Sequence, residues 1–157
     1  KDFSTPLRMM QEDWYLQMGG RFQAQGGFEG EATWAPLSPS YAAWKERRFP
    51  GQPLLVLTGR LRAAATNKDA PGALSEVDEN SMMVGINLPV NGWNLAALHQ
   101  FGTDWTNAAG ARVRMPARPP FRLSQKRRTE WATLLRQWIR ERMQSIGGRR
   151  RGVMFPR

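Results

Sequence analysis

Few residues in this chain are of a type that performs chemistry. His99 is the only histidine and cysteine is absent, which removes thiolate nucleophiles, disulfides and Cys-based zinc or iron–sulfur sites. A zinc site at His99 needs carboxylates to complete it, and none stands at ligand spacing around it. A hydrogen-bonded structural histidine is expected there. Glu29 and Glu31 are the nearest approach to the paired carboxylates of a glycoside hydrolase, but two acids in a Gly-rich stretch read as solvated loop charges. No G-x-S-x-G, Walker or G-x-G-x-x-G pattern occurs, so there is no nucleophile elbow or phosphate cradle. No catalytic, cofactor or metal residue is assigned, and an enzyme is the least expected class.

The chemistry that remains is electrostatic. The net charge of +10 is unevenly placed: residues 112–157 carry 14 Lys/Arg against Glu130 and Glu141, a local +12. The other residues hold 9 basic and 11 acidic side chains. A fold does not require that polarity, so it points to an anionic partner, either nucleic acid or an acidic protein surface. Lys126, Arg127 and Arg128 at the start of the last helix oppose its dipole. Together with Arg149, Arg150 and Arg151 they are the candidate contacts to DNA or a partner.

These residues must be held by a chain of 157 residues, the size of one domain. The expected plan is α+β: one domain over 1–146 with a small, mainly antiparallel sheet against a long N-terminal and a long C-terminal helix, then a basic tail over 147–157. Leu7, Met10, Trp14, Met18 and Phe22 recur at helical spacing, with Thr5 and Pro6 as start signals, Gly19-Gly20 as a weak middle and Gly26-Gly27 as the end. Ser38-Pro39 opens a short helix over 40–48, and Arg60 to Thr66 favours another. Glu76 to Asp78 and Ser81 to Ile86 suit a hairpin. Residues 94–101 fit a helical turn or a strand, 102–111 read as an exposed loop, and Arg112 to Met115 reads as a strand. The last helix begins near Ser124, carries Trp131, Leu134, Leu135, Trp138 and Ile146 near one stripe, and closes at Gly147-Gly148.

Seven Trp imply much buried aromatic surface. Those in the two long helices sit at core spacing, whereas Trp34, Trp44, Trp93 and Trp105 lie in connections, as interface anchors or as pins for their own loops. No apolar run approaches the roughly 20 residues of a membrane span, and the chain reads as soluble and made in the cytoplasm. It opens on Lys1 and not Met, so residues preceding Lys1 are expected.

Four strings occur in order: Trp34-Ala-Pro-Leu-Ser38, Leu57-Thr-Gly-Arg-Leu-Arg62, Leu98-His-Gln-Phe-Gly102 and Met115-Pro-Ala-Arg-Pro119. With Lys45 and Met83-Val-Gly85 between them, they resemble the phage virion-morphogenesis family, which includes tail-completion proteins of Mu-like phages. That family pairs W-x-P-L-S and a Lys with T-G-x-L, a strand ending V-G, H-Q-F-G and P-x-R-P-F before a final helix. Trp34, Pro36, Leu37, Ser38, Lys45, Thr58, Gly59, Leu61, Val84, Gly85, His99, Gln100, Phe101, Gly102, Pro116, Arg118 and Pro119 take the motif positions. Ala63 to Ala65, Leu95-Ala-Ala and the extra Pro120 depart from it.

The resemblance implies a structural virion protein of the head–tail junction, a connector, completion or terminator component that forms a ring around the DNA channel. Its partners are then itself, in six copies or twelve, neighbouring neck or tail proteins, and DNA. Read from the residues, Thr58 and Gly59 suit a helix start, His99 and Gln100 can tie their loop to backbone, and Arg118 can clamp carbonyls or a carboxylate. The alternative is a basic nucleic-acid-binding module without a virion role, supported by the basic helix and tail but by no readout motif. A membrane partner is not expected, because the core needs the apolar face of the last helix.

Overall fold

The computed structural model describes residues 2–106 and 108–150, with side chains as far as Ser145. Helix α1, Ser4–Gln23, is the central element. Its start differs from the sequence reading. The Asp2 carboxylate accepts from the Ser4 N–H at 2.8 Å, so the helix begins before Thr5, and Pro6 sits in the first turn, where a missing N–H costs nothing. Gly19-Gly20 does not interrupt it; Gly20 leaves the space that the Phe28 ring fills. The Gly26 N–H donates back to the Arg21 carbonyl at 2.9 Å and closes the end.

Met10, Met18 and Phe22 of the expected face are buried. The core around them comprises Trp34, Val56, Leu61, Ala64, Ala65, Ile86, Leu88 and Ala96. Helix α2, Pro39–Arg48, buries Lys45 alone, whereas α3, Arg60–Thr66, reaches this core. Helix α3 is rich in Ala and presses Leu61, Ala64 and Ala65 onto α1, small side chains that allow a close approach.

The strands form three separate antiparallel ribbons in place of one sheet. Strands β1, Ala73–Val77, and β2, Met82–Ile86, pair with Ser75 opposite Val84 and Glu76 opposite Met83, and both contact α1. The two-residue strands β3, Pro89–Val90, and β4, Trp93–Asn94, form a tight corner. Helix α4, Leu95–Phe101, follows, with the Asn94 side chain accepting from the Ala96 and Ala97 N–H groups. That cap decides the open reading of 94–101 in favour of helix.

Residues 102–111 are a corrected expectation. Strand β5, Thr103–Thr106, pairs with β6, Arg112–Met115. The alternating basic and apolar residues of β6 need a partner, and Thr-Asp-Trp-Thr supplies β-prone residues in register. Helix α5, Gln125–Arg150, is a second long element packed on α1. The Arg127 N–H donates to Ser124 Oγ at 3.2 Å, an N-cap at the expected position. The helical backbone passes through Gly147-Gly148, so that pair is not the expected stop.

Candidate functional site

Three of the four sequence strings meet at one place. Arg118 is 4% exposed. Its Nε donates to the Ala35 carbonyl at 2.6 Å and its Nη2 to the Pro36 carbonyl at 2.7 Å. Its backbone N–H donates to the His99 carbonyl at 2.7 Å. Trp34 answers in the other direction, its indole Nε1–H donating to the Pro119 carbonyl at 3.0 Å. Its ring meets Phe22 edge-on at 5.3 Å. Gln100 completes the clasp by donating from Nε2 to the Phe121 carbonyl at 3.1 Å and accepting the Phe121 N–H at 3.2 Å. Pro116, Pro119 and Pro120 have no N–H to donate, which keeps this segment out of a β-ladder, and side chains serve its Pro119 and Phe121 carbonyls. Burial pushes the Arg118 guanidinium below its ordinary value, with Tyr41 nearby acting the other way.

Gly102 makes the turn between α4 and β5 at φ +71°, and a Cβ there would stand 2.7 Å from the Ala117 nitrogen and the Met115 carbonyl. His99 is half-buried, and burial together with the nearby Arg118 charge lowers its pKa to about 4. Its Nδ1 has no hydrogen-bond partner among the described residues, and its backbone carbonyl accepts from the Arg118 N–H.

The remaining motif positions serve the same scaffold. Lys45 is buried and its Nζ donates to the Pro53 carbonyl at 2.5 Å, tying α2 to the next connection; burial lowers its pKa. Ser38 lies at the N-cap of α2 but makes no side-chain cap there, and Pro39 sets the first turn. Gly59, at φ +80°, is the N-cap of α3, and no side chain caps it, so the expected Thr58 cap is absent. Leu61 is core, Leu37 is half-buried and Pro116 is exposed. Val84 and Gly85 sit in β2, the latter opposite Leu74. Phe101 points outward, 79% exposed.

A second cluster escaped the sequence reading. Glu29 is not a solvated loop charge: it accepts from Ser124 Oγ at 2.5 Å and from Arg127 Nε at 2.9 Å. Burial pushes this carboxyl upward, but the Ser124 and Arg127 hydrogen bonds hold it below the ordinary carboxylate value. Arg127 Nη1 also reaches Asp13 at 3.2 Å and Glu130 at 3.0 Å, and the Trp131 indole donates to Asp13 at 2.7 Å. Glu31 pairs with Arg122 at 3.0 Å. The acids that pair with α5 lie some 100 positions earlier in the chain, a separation at which local patterning carries no signal.

Arg127 is thus engaged within the chain, whereas Lys126 and Arg128 are exposed; Arg149 and Arg150 have only their backbone described, and Arg151 lies outside the described residues. Of the four Trp expected in connections, Trp34 pins its own loop, while Trp44 lies in α2, Trp93 in β4 and Trp105 in β5, and these three are 38%, 65% and 47% exposed. No group of His, Asp and Glu among the described residues is placed to hold a metal ion. None of the described helices is long and apolar enough to cross a membrane.

An ordered set of strings converging on one internal clasp is the mark of a protein whose motif maintains a shape. The phage virion morphogenesis family matches residues 1–140, and the chain belongs to that family, one of structural virion proteins. No curated protein and no solved structure matches the chain.

Proposed function

We propose that this protein is a structural component of the head–tail junction, a connector, completion or terminator protein. It forms a homo-oligomeric ring around the DNA channel, six copies with twelve as the alternative, and joins head to tail without catalytic turnover. The observation that carries this reading is the outer surface. The clasp and the core take up Trp34, Leu61, Gln100 and Arg118, yet Phe101 of the motif, with Leu16, Met83, Trp93, Trp105 and Met143, remains between 47% and 79% exposed. So much large apolar surface on a small body marks contacts with other chains. Identical subunits satisfy such surfaces without growing into fibres by closing a ring.

The alternative reading, a nucleic-acid module, draws its support from exposed Lys126, Arg128, Arg136 and Arg140 on α5 and Arg47 and Arg48 on α2. In the ring reading Lys126 and Arg128, with Arg149, Arg150 and Arg151, face channel DNA or an acidic neighbouring ring. Light scattering coupled to size exclusion and electron microscopy of assembled particles test the choice. The ring reading expects a closed oligomer and density at the neck. A chain that stays monomeric under all conditions while binding duplex DNA with steep salt dependence counts for the module. Replacing Arg149, Arg150 and Arg151 with Ser is expected to leave folding intact and to reduce the yield of joined particles.

A further inference from the structure

We infer that the distal part of α5 is an arm that docks on the outer face of the β1–β2 hairpin of a neighbouring copy. This rests on the ring reading and names the surfaces that close it. The last aromatic contact of α5 with the body is Trp138 against Phe3, ring centroids 5.0 Å apart. Beyond it every side chain from Ile139 to Ser145 is exposed, although the backbone stays helical to Arg150. Arg136, Ile139, Arg140 and Met143 fall at i, i+3, i+4 and i+7, a single helical face. Ile139 is 40% and Met143 68% exposed. With Arg136, Ile139, Arg140 and Met143 all exposed, this face is offered outward.

The hairpin presents the matching surface. Its alternation sends Ser75, Val77 and Val84 inward, while Leu74, Glu76 and Met83 face out. Leu74 is 37% and Met83 48% exposed. Residues 73–86 contain Glu76, Asp78 and Glu79 and no Lys or Arg. Among the described residues, none of these three acids and neither Arg136 nor Arg140 is in an ion pair. Arm and hairpin therefore share one design with opposite sign: two apolar side chains at the centre, uncompensated charge around them, basic on one and acidic on the other. That is the layout of an interface with a desolvated anchor and a polar rim. Ile139 and Met143 between the arginines, with Glu141 also on the arm, suit a protein surface and not a phosphate backbone. An arm on the next copy's hairpin is a heterologous contact, which repeats around a ring until both surfaces are covered in every copy.

The chain has no cysteine, so introduced thiols report one contact each. Met143→Cys and Met83→Cys are made as separate variants, mixed, and mildly oxidised after circular dichroism confirms that both are folded. Disulfide-linked dimers containing a peptide that joins positions 143 and 83 are expected, and the variant carrying both changes is expected to give a ladder ending at the ring's copy number. In parallel, Arg136→Glu with Arg140→Glu is expected to lower the assembled fraction at least tenfold at low salt. An oligomer by light scattering that yields no 143–83 linkage overturns the arm contact and leaves the ring standing. A chain that is monomeric throughout removes the ring reading and the arm with it.

Discussion

The Arg118 guanidinium donates to the Pro36 carbonyl at 2.7 Å across 82 positions of sequence. The same fork holds Ala35, so one side chain closes the loop that leads from Trp34 into α2. Replacing Arg118 with Ala removes the donor from two part-buried carbonyls, at roughly 1–2 kcal/mol for each. A loss of about 3 kcal/mol in urea unfolding is expected. Arg118→Lys is expected to recover less than half of it, because an ammonium cannot reproduce the planar fork.

Gly102 is the backbone counterpart of that fork. Its φ of +71° and the backbone atoms of Met115 and Ala117 beside it leave no room for a side chain. Gly102→Ala is expected to cost about 2–4 kcal/mol, the sum of a left-handed backbone and a clash that neither backbone segment can relieve. Gly30, at φ +79° with nothing near its missing Cβ, is the control. Gly30→Ala should cost about 1 kcal/mol by thermal or chemical melt.

His99 makes stability depend on pH. Its folded pKa is lowered from 6.5 to about 4 by burial and the adjacent Arg118 charge. Between those values the unfolded chain binds a proton that the folded chain does not, so stability is full above pH 6.5 and falls as the pH drops towards 4. Partial exposure of the ring keeps the loss to about 2 kcal/mol. Unfolding free energies of the wild type and His99→Gln, compared from pH 7.5 to 4, should diverge in slope within that window. Parallel curves would mean that the imidazole titrates alike in both states.

Arg127 and Arg128 are neighbours with different duties. Arg127 spans Glu29, Asp13 and Glu130 with its side chain 26% exposed. Arg127→Met should destabilise by about 1–2 kcal/mol, because it strands half-buried carboxylates. Exposed Arg128, whose Nε donates to the Leu123 carbonyl at 3.2 Å, should change by less than about 0.5 kcal/mol on the same substitution. Equal losses in chemical denaturation would show that the cluster does not fasten α5 to α1.

Periodicity was enough for the elements whose signal is local. The helical face of α1, that of α5 from Trp131 to Trp138, the Ser38-Pro39 start of α2, the Leu, Arg and Ala content of α3 and the start of α5 near Ser124 each depend on neighbours within one or two turns, and so they were legible in the sequence; Ile146 of the expected α5 stripe lies outside the described side chains. The order of the strings likewise indicated the family. What the chain could not show locally was which side chain serves which backbone. Arg118 on Ala35, Trp34 on Pro119 and Glu29 on Arg127 join residues 83, 85 and 98 positions apart. Nothing in the spacing of either partner encodes those pairs. For the same reason β5 was hidden, since Thr103–Thr106 is a strand only because β6 lies beside it. Gly147-Gly148 shows the converse: a local stop signal that the helical backbone does not obey. Composition and pattern set which segments are helical and where charge accumulates; the tertiary fold decides which charges are spent inside the chain and which are left for a partner.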